Sequence, residues 1–281
     1  MGGGSYSYST AINRTKLYSI MDSHEIFSRD MDQQMSIKDK IRECCENEEH
    51  PNTLPIIIGL DVTGSMGHIP LHLIQHDFPE IMKKILEEGI EHPEVCFVAF
   101  GDHKTDFAPI QVGQFEASDE LMEKWLKMIW IEGHGGGNGG ESASLVHHFA
   151  AYHTNCDAIN KRGKKGILIT ISDEPTHLDY AKRKMSELFG AGIECDLTAG
   201  EMLDEARKNW DVYHINLLDS RGRRPDVKGC WEELLGDHFM SVEANDDTNV
   251  SDLIAEIVCK AAKSTTTVTS TISTGDGKHL L

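Results

Sequence analysis

From Leu54 onward the chain repeats one arrangement: a short, nearly continuous apolar run, a polar or glycine-rich turn, then an amphipathic helical stretch. The runs are LPIIIGLD (54–61), VCFVAFGDH (95–103), GILITISDE (166–174), VYHINLLD (212–219) and HFMSVE (238–243). Runs with so little alternation belong to strands covered on both faces, as in a parallel sheet. Strands that alternate with helices through right-handed crossovers predict an α/β fold, a doubly wound, mostly parallel central sheet with helices on both faces. Helix ends agree. Thr198 with Glu201 makes a capping box before MLDEARKNW, and Gly190 stands where a left-handed residue would stop YAKRKMSELF. Pro79 inside the first long helix predicts a kink or a break.

Residues 1–52 lack this rhythm. The stretch 15–52 is polar and helix-prone with little clean periodicity, which predicts an N-terminal arm packed on a core formed by residues 53–263. Residues 264–281 then form a flexible tail. The first ten residues and the last eighteen are small and polar, so they bury too little apolar surface to offset their ordering entropy and are expected to be mobile or ordered only by contact. A chain of 281 residues can bury a sizeable core as one domain with insertions.

Composition narrows the functions. Hydrophobic residues at 39% and charged residues at 26% describe an ordinary globular chain. Lysine and arginine number 27 against 46 aspartates and glutamates, and a net charge of -19 repels nucleic-acid phosphates and anionic lipid surfaces. The densest basic stretches, 161–165 and 221–224, are short and lack interleaved aromatics, so they read as solvated loops. Neither nucleic acid nor membrane is expected as a partner. The seven cysteines show no CxxC spacing, no long apolar run is present, and MGGGSYSYST lacks the features of a signal peptide. Tyr6 stands where a myristoylation motif wants Ser or Thr. A reduced, cytoplasmic protein is the expectation.

In doubly wound sheets ligands sit beyond the carboxyl ends of the strands. The first strand is followed by Asp61, Val62, Thr63, Gly64 and Ser65, the third by Ser172, Asp173 and Glu174, and GHGGGNGGES (133–142) lies between the second and third. The spacing DxTxS sets one carboxylate and two hydroxyls on alternate residues of a tight turn, aimed at one spot. Such oxygen ligands suit a small hard cation such as magnesium, with Asp173 supplying a second negative charge. Asp61 as a helix cap and Ser65 as a turn residue are the plainer alternatives, and Asp102 in FGDHKTD reads as a turn residue or as a supporting group near the metal.

The segment DVTGSMG (61–67) resembles the metal ion-dependent adhesion site of von Willebrand factor A (vWA) domains, whose DxSxS pattern tolerates threonine at the middle position. The stretches MGGGSYSYS, HPNTLPIIIGLDVTGSMG and PIQVGQFE also look like a group of bacterial and phage vWA proteins. The resemblance implies a Rossmann-like fold, Mg2+ (or Mn2+ or Ca2+) at Asp61, Thr63, Ser65 and Asp173, and an open coordination position for a glutamate or aspartate of a partner protein. Where these domains usually supply a threonine, the glycine-rich loop has none. Glu141 and Ser142 are the leading replacements, with Asn138 or water behind them.

Other features point less far. The glycine-rich loop lacks the GK[ST] ending of a phosphate-binding loop. His68, His72 and His76 recur every fourth residue and would share a helix face, as a solvated or partner-facing stripe rather than a zinc or copper site. Three functions compete: a metal-dependent protein-binding module, an assembly or scaffold subunit serving a bacterial ATPase or a phage particle, and an enzyme. The enzyme reading is weakest. Thr63 stands where a DxD phosphatase needs its second aspartate, and Gly64 to Gly67 is not GxSxG.

Overall fold

The computed structural model describes residues 4–64, 66, 71–132, 139–219, 221–243 and 247–264. Its centre is a six-stranded sheet: β1 (Leu54–Asp61), β2 (Pro93–Phe100), β3 (Ile110–Val112), β4 (Gly166–Ser172), β5 (Trp210–Leu218) and β6 (Phe239–Glu243). In space the order is β3-β2-β1-β4-β5-β6, every pair parallel except the edge pair β2 and β3. The five apolar runs are the five parallel strands. The short antiparallel edge IQV was not among them. Successive neighbours lie to opposite sides of β1, so the strand order reverses between β1 and β4, the kind of switch point at which doubly wound sheets commonly bind ligands.

Both faces of the sheet are covered. Ile56, Ile58 and Leu60 face one apolar core, shared with α2 (Phe78–Glu87), α3 (Asp119–Lys127) and α8 (Asp247–Lys263). Ile57 faces the other, shared with α4 (Ser144–Tyr152), α5 (Lys182–Phe189), α6 (Ala199–Asn209) and α7 (Pro225–Leu235). Gly59 lets α4 lie close. A Cβ there would stand 3.2 Å from both Thr170 Cγ2 and Val146 Cγ2. No helix among the described residues is long and apolar enough to cross a membrane.

Thr198 and Glu201 form a complete capping box on α6. Gly190 ends α5 at φ +96°, ψ −147°, a positive φ outside the left-handed helical basin. The helix begins later than YAKRKMSELF implies, because Tyr180 pairs with Leu197 in a short antiparallel ladder. The helix carrying Pro79 is irregular and not broken: a π-helical turn, Leu73–Asp77, runs directly into α2 with helical backbone at Asp77 and Phe78, and Pro79 sits in the first turn of α2.

The arm is structured by contact. Its helix α1 (Tyr8–Tyr18) packs on α2 and α3, and Tyr6 meets Phe78 edge to face at 6.2 Å. Arg14 pairs with Asp119 and Glu123. Met35, Ile37 and Cys44 are buried, and Arg42–Cys44 pairs in parallel with Thr154–Cys156. Residues 4–10 are therefore held by the body of the protein, whereas the tail beyond 264 lies outside the described residues.

Candidate metal centre

At the carboxyl end of β1, Asp61 is fully buried and organises the turn that follows it. Its Oδ1 accepts from Thr63 N at 2.9 Å and from Thr63 Oγ1 at 2.6 Å, and its Oδ2 accepts from Ser172 Oγ at 2.7 Å. Three hydrogen bonds favour the ionised form, but burial outweighs them, and the carboxyl is pushed up to about 6, with Glu174 adding repulsion. Among the described residues no ion pair joins Asp61 to a basic side chain. Ser65 lies outside the described residues.

Strand β4 delivers Asp173 immediately after Ser172, itself 1% exposed. Its neighbour Glu174 turns elsewhere, to Arg224 at 2.7 Å and Arg221 at 3.4 Å, so that charge is compensated.

Glu141 comes from the segment entering α4 and is 2% exposed. Its backbone is tied on both sides: Glu141 N donates to Pro175 O at 2.9 Å, and His177 N donates to Glu141 O at 2.9 Å. Its Oε2 has no hydrogen-bond partner among the described residues. Burial first, then the charges of Asp61, Asp102, Asp106 and Glu174, push this carboxyl up to about 10. An acidic side chain in this setting suits a cation between it and its neighbours.

Ser142 points another way. Its N donates to Gly101 O at 3.0 Å, while its Oγ accepts from His103 N at 2.9 Å and lies 2.7 Å from His103 Nδ1. The Ser142 hydroxyl is thus engaged with His103, whereas Glu141 Oε2 has no such partner among the described residues. Asn138 and His68 lie outside the described residues.

The histidine stripe is local. His72 Nδ1 lies 3.0 Å from Asp77 Oδ2, its ring is 4.8 Å from that of His76, and His76 is exposed.

Sequence reasoning missed one group. Asp102, His103 and His177 are all buried, with His177 Nε2 2.9 Å from Asp102 Oδ1. Asp102 is more than a turn residue, although its Oδ1 does accept from Lys104 N at 2.9 Å. The available signal was that FGDH and SDEPTH each place a histidine just past a strand end.

No family model matches the chain, and no curated protein matches it in sequence. Among solved structures it is similar to the pilus adhesin SpaC of Lactobacillus rhamnosus GG, at 10% identity and TM-score 0.49, over 79% of this chain and 31% of that one. It is also similar to proximal thread matrix protein 1 of the mussel byssus, at 11% identity and TM-score 0.47, over 74% of this chain and 48% of that one. A third is the vWF domain of the type V pili tip protein Mfa5 of Porphyromonas gingivalis, at 9% identity and TM-score 0.47, over 73% and 94%. The chain spans about a third of the adhesin's length and about half of the thread protein's.

Proposed function

We propose that this chain is a metal-dependent protein-binding module, with magnesium, or manganese or calcium in its place, held at the switch point of the sheet. Asp61, Thr63, Ser65 and Asp173 would hold the ion, with Glu141 in place of the threonine usual in vWA domains. When bound, the metal supplies a Lewis-acidic position for a carboxylate of the partner. The observation that carries the reading is Glu141 Oε2, buried without a hydrogen-bond partner among the described residues and set among the charges of Asp61 and its neighbours.

The surroundings suit a protein partner. Phe107, on the loop after β2, is 85% exposed, and Leu178, on the loop after β4, is 59% exposed. Two large apolar side chains held in water beside a buried acidic cluster offer contact area around a charged key. A net charge of -19 favours a partner whose acidic residue sits in a neutral or basic setting.

The test is calorimetric titration of Mg2+ into the wild type and Asp61→Ala, followed by co-purification from the native host with and without Mg2+. Binding of the ion and recovery of the partner should both disappear in the variant. Partner recovery that persists in excess chelator would sink the reading.

A further inference from the structure

The loops after β2 and β4 bring together a second cluster of different chemistry. Asp102 and His103 close the run FGDH, and His177 lies five residues beyond Ser172. They are 0%, 7% and 6% exposed. Each offers one ligand atom, and these atoms lie within 4.8 Å of one another. The two imidazoles meet edge to face with centroids 5.1 Å apart, and the His103 ring is held by stacking on Tyr180 at 4.5 Å and by Ser142 Oγ.

Both imidazoles are neutral at neutral pH, because burial pushes each below its usual range, His103 down to about 4. Neutral imidazole carries the lone pair that a metal requires. The tautomer of His177 follows from its neighbours. Lys104 Nζ can only donate and lies 3.0 Å from His177 Nδ1, so Nδ1 accepts and Nε2 bears the proton that bonds Asp102. The cation beside this cluster is thus an ammonium from an exposed residue on a flexible stem. A cavity of about 730 Å³ opens there, lined in part by His103, Lys104, Tyr180 and Lys184.

We propose that Asp102, His103 and His177 form a second cation site, selective for a zinc-type divalent metal and independent of the site at Asp61. On binding, Lys104 withdraws its ammonium into solvent, keeping its proton, and the His177 proton moves from Nε2 to Nδ1. No proton is gained or lost, and the cluster passes from zero net charge, with the ammonium beside Asp102, to +1 with the divalent ion in its place. Tetrahedral zinc holds its ligand atoms about 3.4 Å apart. The Asp102–His177 pair therefore opens from 2.9 Å while the His103 nitrogen closes in. Nitrogen ligands favour zinc, cobalt and nickel, whereas hydroxyls and carboxylates favour magnesium, manganese and calcium, so the metal itself distinguishes the two sites.

The test uses the full chain and its Asp61→Ala variant, stripped with chelator and titrated with cobalt(II), a spectroscopic substitute for zinc, in excess Mg2+. One equivalent of cobalt should bind to both, with visible absorption, without the near-ultraviolet absorption of thiolate ligation, and with displacement by Zn2+. His177→Asn and His103→Gln should each weaken it on the order of 100-fold. Zinc-edge X-ray absorption on the wild type, which needs no variant, should show two imidazoles on the metal. Absence of cobalt binding in excess Mg2+, loss in Asp61→Ala with retention in His177→Asn, or a thiolate signature would each overturn the proposal.

Discussion

Two buried carboxylate clusters in this chain are treated in opposite ways. Asp119, 6% exposed at the start of α3, receives Thr10 Oγ1 at 2.8 Å, Ser7 N at 3.1 Å and the guanidinium of Arg14. Burial raises its pKa, but the hydrogen bonds from Thr10 and Arg14 prevail and hold the carboxyl below the usual range. Asp61 and Glu141 are buried as deeply, and among the described residues no ion pair joins either to a basic side chain. They rise to about 6 and about 10. Where a carboxylate fastens the arm to the body, the fold supplies the cation itself. Where two carboxylates converge at the switch point, no basic partner is present among the described residues, and in the proposed reading an exchangeable ion takes that place.

The sharpest way to break this contrast is at Asp61. Asp61→Ala should lower Mg2+ affinity on the order of 100-fold or more by calorimetry. Mg2+ at 100 times the wild-type Kd should raise wild-type stability by about 2.7 kcal/mol and that of a variant binding 100-fold more weakly by only about 0.4 kcal/mol in melting experiments. Wild-type affinity in Asp61→Ala would erase the difference between the clusters.

The compensated cluster should respond in the reverse sense. Arg14 is 23% exposed in its side chain, which screens the pair, so Arg14→Ala is expected to cost about 2 kcal/mol in urea denaturation. The loss should be the same with and without Mg2+. A loss that Mg2+ repairs would mean that the arm belongs to the metal site.

Buried histidines on α4 extend the contrast to groups that avoid charge altogether. Neither ring nitrogen of His147 or His148 has a hydrogen-bond partner among the described residues, and burial pushes both down to about 3. The folded values lie below the unfolded 6.5. Their stability is fully present above about pH 6.5 and is lost as pH falls towards 3, at about 1.4 kcal/mol per pH unit for each group. Urea midpoints between pH 7 and 4.5 should fall steeply in the wild type and less in His147→Gln. Equal slopes would show that His147 is not the titrating group.

The smallest stability effect is expected at Phe107. Phe107→Ser should change stability by less than about 0.5 kcal/mol and lower partner affinity about tenfold. Unchanged affinity would place the contact surface elsewhere.

The central sheet was legible because strands covered on both faces leave unbroken apolar runs, and an irregularity near Pro79 was legible because proline acts locally. Asp61, Thr63 and Ser65 are adjacent in sequence, so their spacing could be read directly. The Asp102 group could not. His103 and His177 stand 74 residues apart and meet where the loops after β2 and β4 come together in the fold. That the Ser142 hydroxyl meets His103 while Glu141 Oε2 meets no partner among the described residues was likewise not legible in the sequence. The arm escaped periodicity because polar pairs such as Arg14 with Asp119 fasten much of it, with no clean apolar stripe. The edge strand is three residues long, too short for its pattern to stand out.

The backbone around Glu141 bonds at once to Gly101 O behind β2 and to Pro175 O and His177 N behind β4. Three segments around the proposed site are thereby joined to one another by main-chain hydrogen bonds. A partner arriving there would not have to freeze a wandering loop, so less of its contact energy would be consumed by ordering. If the proposed reading holds, binding there should be quick and bring little change of shape, and selectivity would come from the fit of the incoming side chain to a surface already in place.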